Sequence, residues 1–179
     1  DVAWFSIYEV GHRVTDGFDE LDEHERATKT PHVFIAGDAC HTHSAKAGQG
    51  MNVSMQDAFN LGWKLMSVLR GRAGPELLHS YSKERQAIAK ELIDFDRDWA
   101  NMLATSEGTD PEEVRKYFVR FGHYTAGTAT HYKPSALTGE PKHQKLADGL
   151  VIGKRFHSAP VIRLADAKPM QLGHAAKAD

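Results

Sequence analysis

Apolar and polar positions fall into blocks along this chain, and the blocks predict strands near the start, long helices in the middle and a hairpin at the end. Residues 2–10 (VAWFSIYEV) are rich in aromatic and β-branched side chains and stop at Gly11, the composition of a strand. Residues 15–31 are polar and mostly charged, end at Pro31, and predict a surface loop with a short helical turn and a solvated acidic cluster. Residues 33–36 (VFIA) are short, continuous and apolar, as befits a strand covered on both faces. From Gly50 to about Arg70, Met51, Met55, Phe59, Leu65, Met66 and Leu69 recur at helical spacing and predict a core-facing stripe, with Trp63 also in the core. Asp57, Asn60 and Lys64 punctuate that stripe, and Gly71 and Gly74 end it.

Pro75 and Glu76 open a second long helix, whose stripe is Leu77, Tyr81, Ile88, Leu92, Phe95, Trp99 and Met102. Arg85 interrupts this stripe and reads as a brace between two helices. A third helix is announced by Asp110 as N-cap, Pro111 in the first turn and Glu113 three residues after the cap. It runs through Val114, Tyr117, Phe118 and Phe121 and ends near Gly122 or Gly127. Residues 127–149 are rich in Gly, Thr, Pro, Ser and Lys and predict an extended connection. After Gly149 the pattern predicts a strand, a turn over residues 166–169 and a returning strand, weakly anchored to the rest.

The chemistry concentrates in residues 33–52 (VFIAGDACHTHSAKAGQGMN). Gly37 lets a ligand come close to the backbone, and Asp38 sets a carboxylate at a strand's carboxyl end, where open α/β sheets bind ligands. Gly48, Gln49, Gly50, Met51 and Asn52 then supply backbone N–H groups at a helix start, whose dipole favours negative charge. The device suits an anionic or hydroxyl-rich ligand.

GDACHTHSAKAGQGMN followed by VSMQDAFNLGWKL resembles the second flavin motif of the FAD-dependent aromatic hydroxylases, within them the phenol 2-monooxygenase and 3-hydroxybenzoate hydroxylase branch. The resemblance implies that Asp38 binds the ribityl hydroxyls of FAD, with Gly37 beside it among the cofactor-binding residues. It implies too that Gly48, Gln49, Gly50, Met51 and Asn52 sit against the pyrimidine edge of the isoalloxazine. Ala45 stands where the branch usually has Pro; it keeps the carbonyl that faces the substrate hydroxyl and loses proline's fixed φ. Tyr8 is a further substrate-proximal candidate, against its plainer reading as a packed strand aromatic. Tyr81 to Arg85 (YSKER) matches a Y-x-x-E-R segment that follows the flavin helix in the family.

The fold implied is α/β: the C-terminal part of a Rossmann-like FAD-binding domain with long helices over 1–127, a linker over 128–149, and over 150–179 the opening strands of a thioredoxin-like dimerisation domain. The reaction implied is hydroxylation of a phenolic aromatic. NADPH reduces FAD, O2 adds to give a flavin hydroperoxide, and the distal oxygen passes to the ring. The family's first flavin motif, G-x-G-x-x-G, and its DG segment are absent, and the chain opens on Asp1 inside a strand-like run. It therefore reads as an internal piece of a longer, homodimeric enzyme, holding no catalytic residue of its own and inactive alone.

Bulk properties narrow the field. A formal net charge of −2 and the lack of a basic run with interleaved aromatics speak against a nucleic-acid surface. Cys40 is the only cysteine, which excludes an internal disulfide and suits a reducing compartment. No apolar run approaches the ~20 residues of a membrane span, so the expectation is a soluble cytoplasmic protein. Asp38, His41 and His43 form D-x-x-H-x-H, but a metal wants three or four converging ligands and the other histidines are scattered. Cys40 beside His41 suggests a thiol nucleophile, though sequence neighbours rarely hold catalytic geometry. No G-x-S-x-G supports a serine hydrolase. Two alternatives stand beside the hydroxylase: a non-catalytic helical scaffold that binds a partner, and a flavin-dependent oxidase or halogenase relative.

Overall fold

Two long helices, α1 (Gly50–Leu69) and α2 (His79–Ala104), lie against each other, and polar side chains hold them together. The structure is a computed structural model that describes all residues except 1–2, 8–10, 45–47, 105–109, 148, 155–157 and 176–179. Pro75–Leu78 forms a 3-10 turn that leads into α2, with Pro75 at its first position, where a missing N–H costs nothing. On α1 the buried residues are Val53, Asp57, Asn60 and Lys64. Lys64 donates to Glu84 at 2.7 Å, Asn60 donates to the same Glu84 oxygen at 2.8 Å, and Asp57 accepts from Arg85 at 2.6 Å.

This reverses the expected orientation of α1. Met51, Phe59 and Leu69 are 71%, 76% and 83% exposed, and Met55, Trp63 and Met66 also face outward. The period was right and the face was wrong. The surface that α2 presents to α1 carries Glu84 and Arg85, so the complementary charges of α1 turn inward and its apolar side turns out. Met55, Phe59 and Trp63 line an open cleft of about 920 Å³ with Tyr124, Tyr132 and Leu137 instead of packing in a core.

The apolar core is small and divided. Phe18, Cys40, Tyr81 and Ala89 make one cluster, with Val14, Phe34, Ile35 and Leu61 against it. Val53, Ile88 and Leu92 make the other, beside Tyr124 and Tyr132. The α2 stripe is therefore core-facing as expected, with Tyr81, Ile88 and Leu92 buried.

Sheet structure is sparse. β1 (Arg13–Val14) pairs antiparallel with β2 (His41–Thr42), Arg13 opposite Thr42 and Val14 opposite His41. The expected strand over residues 2–10 is not seen where it is described: residues 3–7 form no regular element, and Trp4, Phe5 and Ile7 are exposed. Among the described residues no strand faces them, so their β propensity finds no ladder. Residues 33–36 make one isolated bridge, Phe34 with Asp19, and Val33 is exposed, so the expected two-sided strand is also not formed. The residue 15–31 loop does contain a short turn, Glu25–Ala27, but its acidic cluster is not simply solvated. Asp19 pairs with Arg26 at 2.8 Å, Glu20 accepts the N–H groups of His32 and Val33, and Phe18 is wholly buried.

α3 (Pro111–Thr125) follows its sequence closely. The Asp110 side chain accepts the Glu112 N–H at 2.9 Å, Pro111 opens the helix, and Gly127 follows its end in the left-handed conformation. Its Tyr117 and Phe121 lie parallel to Phe95 and Trp99 of α2 at centroid distances of 4.8–5.8 Å. The hairpin joins β3 (Pro160–Arg163) to β4 (Lys168–Gln171), with Arg163 opposite Lys168. Its turn therefore lies at residues 164–167, two residues earlier than expected, and Pro169 sits inside β4.

The candidate flavin site

Gly37–Ala39 is a 3-10 turn that carries Asp38 outward beside the first turns of α1. Gly37 has φ 63°, a left-handed conformation that side chains resist, and a β-carbon there would come within 3.1 Å of the Ser54 side chain on α1. Loop and helix are therefore packed backbone to helix, which brings Asp38 to the helix start. The Ser54 hydroxyl reaches Asp38 only at 3.4 Å, so the exposed carboxylate keeps most of its acceptor capacity.

Among the described residues no side chain caps the start of α1 either. Gln49 is the N-cap residue but caps no N–H with its side chain; it accepts instead from the Asn52 amide at 3.2 Å. A β-carbon at Gly50 would run into the His43 ring, so a larger residue there would displace the imidazole that crosses the helix end. Gly48 and Met51 are exposed, and Asn52 is half-buried. Gly37, Asp38, Gly48, Gln49, Gly50, Met51 and Asn52 thus gather at one end of α1. Tyr8 and Ala45 lie outside the described residues.

The loop is held from beneath by groups that the sequence did not single out for this role. Asp57, with no exposed surface, accepts the Gly37 N–H at 3.2 Å, His41 Nε2 at 2.8 Å and Arg85 at 2.6 Å. Further along, Asp96 of α2 accepts the Ser44 N–H at 2.9 Å and His12 Nε2 at 2.8 Å. Two buried carboxylates therefore anchor the two ends of residues 37–44. The available signal was a charged residue inside each apolar stripe, at 57 and at 85.

Burial works against ionisation of Asp57, but hydrogen bonds from His41 and Arg85 outweigh it and hold the carboxyl below the usual carboxylate range. Burial likewise opposes ionisation of Asp96, and Ser44 and His12 outweigh it. A carboxyl with a depressed folded pKa contributes stability that is complete above its unfolded value of about 3.9 and is lost as pH falls through the folded value. Acidifying from about pH 5 to about pH 3 is therefore expected to lower the urea midpoint steadily. Asp57→Asn and Asp96→Asn should each flatten that slope; parallel slopes for wild type and both variants would count against these anchors.

The other chemistries find little here. Burial, with a smaller push from Asp57, drives the Cys40 thiol up to about 12, which keeps it protonated and unreactive. His41 is committed to Asp57, and the His43 Nδ1–H donates to the Ser44 carbonyl at 2.9 Å. Among the described residues no three His, Cys, Asp or Glu side chains converge to hold a metal.

An open carboxylate beside an uncapped helix start is a donor and acceptor set that fits a cofactor with both hydroxyls and an edge that takes negative charge. Comparison with known proteins agrees. Residues 2–96 match the family model described as FAD binding domain. The chain belongs to the FAD-binding domain family. Residues 130–179 match the phenol hydroxylase C-terminal dimerisation domain. It is 57% identical to a 3-hydroxybenzoate 4-monooxygenase of Comamonas testosteroni, covering 100% of this chain and 29% of the relative. A phenol 2-monooxygenase of Aspergillus fumigatus is 40% identical over 97% of this chain and 28% of its own length. Among solved structures, the rebeccamycin biosynthetic enzyme RebC with reduced flavin superposes with a TM-score of 0.58, at 27% identity, over 83% of this chain and 30% of that one. The chain thus spans under a third of the relatives it matches, and its fold is of the α/β FAD-binding class expected from the sequence.

Proposed function

We propose that this chain supplies the second flavin-binding element of an FAD- and NADPH-dependent monooxygenase that hydroxylates a phenolic aromatic of the phenol or 3-hydroxybenzoate type. The observation that carries the proposal is the exposed Asp38 carboxylate beside the uncapped first turn of α1. Asp38 accepts hydrogen bonds from the ribityl hydroxyls. The N–H groups of Gly50, Met51 and Asn52, with the dipole of a 20-residue helix behind them, stabilise negative charge on the flavin's pyrimidine edge. Gly37, Gly48 and Gln49 shape the approach. Bound FAD supplies the oxygen-activating chemistry, and the protein binds and orients it.

The organisation we infer is an FAD-domain portion over 1–127, a linker over 128–149 and the start of a dimerisation domain over 150–179, within a homodimer. We place the enzyme in the cytoplasm; among the described residues no helix is long and apolar enough to cross a membrane. The test is made on the full-length protein that contains this chain. It should be yellow after gel filtration and should consume NADPH and O2 together when phenol or 3-hydroxybenzoate is added. A colourless protein whose elution tracks a protein partner would replace this reading with the scaffold.

A further inference from the structure

Arg85 is almost wholly buried in α2, yet it bonds four residues, three on α1 and one beyond it. Its Nε donates to Asp57 at 2.6 Å, and Asp57 in turn holds the Gly37 N–H and His41. One terminal nitrogen reaches the Val53 carbonyl and Gln56 on α1, at 3.4 Å and 3.3 Å. The other reaches the Tyr132 hydroxyl at 3.1 Å, within the segment that matches the dimerisation domain. A brace between two helices needs only the α1 contacts. The contact beyond that brace is Tyr132, at the start of the 130–179 segment, and the Asp57 contact on α1 is carried on to the flavin loop because Asp57 also holds the Gly37 N–H.

We propose that Arg85 is a positioning residue for flavin: through Asp57 it sets the Gly37 turn that presents Asp38, and through Tyr132 it ties flavin affinity to the seating of residues 130–179. This rests on the reading of Asp38 as a flavin ligand. The planar guanidinium is what the task requires, because one fixed fork engages Asp57 and Tyr132 from different nitrogens at once. Lysine carries the charge, but its three donors radiate from one nitrogen on a flexible stem, so it does not hold Asp57 and Tyr132 at the fixed spacing of the fork. Tyr132 is itself packed against Val53, Ile88 and Leu92, so its hydroxyl meets Arg85 only when the segment is seated on α2.

The experiment uses full-length protein stripped of FAD and titrated with FAD, following flavin fluorescence, with the visible circular dichroism of the saturated protein as a second readout. Arg85→Lys should weaken FAD binding about tenfold, the size of one hydrogen bond to a charged group, and should alter the dichroism of the flavin that does bind. Tyr132→Phe, which deletes one hydroxyl, should weaken binding measurably with the same change in dichroism. If both variants bind FAD as wild type and only melt earlier, Arg85 is a plain structural brace and the proposal is overturned. A change in Arg85→Lys with none in Tyr132→Phe overturns the link to residues 130–179. Should Arg85→Lys fail to fold, Tyr132→Phe decides alone. Asp38→Ala, run alongside, separates the two levels: if it keeps FAD, the Asp38 role fails and the positioning through the Gly37 turn fails with it, whereas loss of FAD in Asp38→Ala with wild-type affinity and dichroism in Arg85→Lys keeps the Asp38 role and overturns the positioning alone.

Discussion

Asp38→Ala in the full-length protein is expected to emerge colourless from a desalting column while remaining folded. The fold is insensitive because Asp38 is exposed and its Ser54 contact is long, at 3.4 Å. The cofactor is sensitive because a carboxylate accepting from hydroxyls makes charge-assisted hydrogen bonds, each contributing about 1.5–3 kcal/mol. Loss of two such bonds corresponds to a weakening of roughly a hundredfold or more. Asp38→Asn keeps an acceptor oxygen and loses the charge, so it should fall between. The ratio of flavin to protein absorbance after desalting gives the answer, and stoichiometric flavin on Asp38→Ala would remove the residue from the site.

Lys64→Met is expected to destabilise the protein by about 3–5 kcal/mol, although methionine matches the lysine stem in volume. Lys64 has no exposed surface and sits 2.7 Å from Glu84, which is itself buried. Burial pushes the lysine's pKa down, and Glu84 works against that. Removing the ammonium leaves the buried Glu84 carboxylate with the Asn60 amide as its one remaining hydrogen-bond donor among the described residues. The penalty is that uncompensated charge and not the loss of the pair as such. Adding Glu84→Gln to Lys64→Met should therefore restore more than half of the lost stability. Denaturant melts of the two variants decide it; a double variant no better than Lys64→Met would mean that packing, not charge, sets the cost.

How much of this was legible in the sequence depended on how far apart the interacting residues lie. The start of α3 was readable because Asp110, Pro111 and Glu113 act within one turn. The placement of Gly37 and Asp38 beside the start of α1 was readable for a similar reason, since it follows from backbone conformation and from a helix that begins a few residues on. The face that α1 buries was not readable. Its periodicity marks two sides, and only the pairing of Lys64 with Glu84 and Asp57 with Arg85, 20 and 28 residues apart, decides which side is covered. The anchoring of Ser44 by Asp96 spans 52 residues and leaves no local trace. Residues 33–36 and 3–7 carry strand composition, but propensity alone supplies no neighbouring strand to pair with.

α2 gathers Arg85, Asp96, Phe95 and Trp99 on a single helix of 26 residues. Arg85 and Asp96 are separated by three helical turns, about 16 Å, and each holds a different end of the same loop. Phe95 and Trp99 hold α3. Local opening of the loop, of α3 or of the segment at Tyr132 is then opening of contacts to one shared strut. We expect these parts to open together, so their most protected amides should share one opening free energy set by α2, while the hairpin opens at its own.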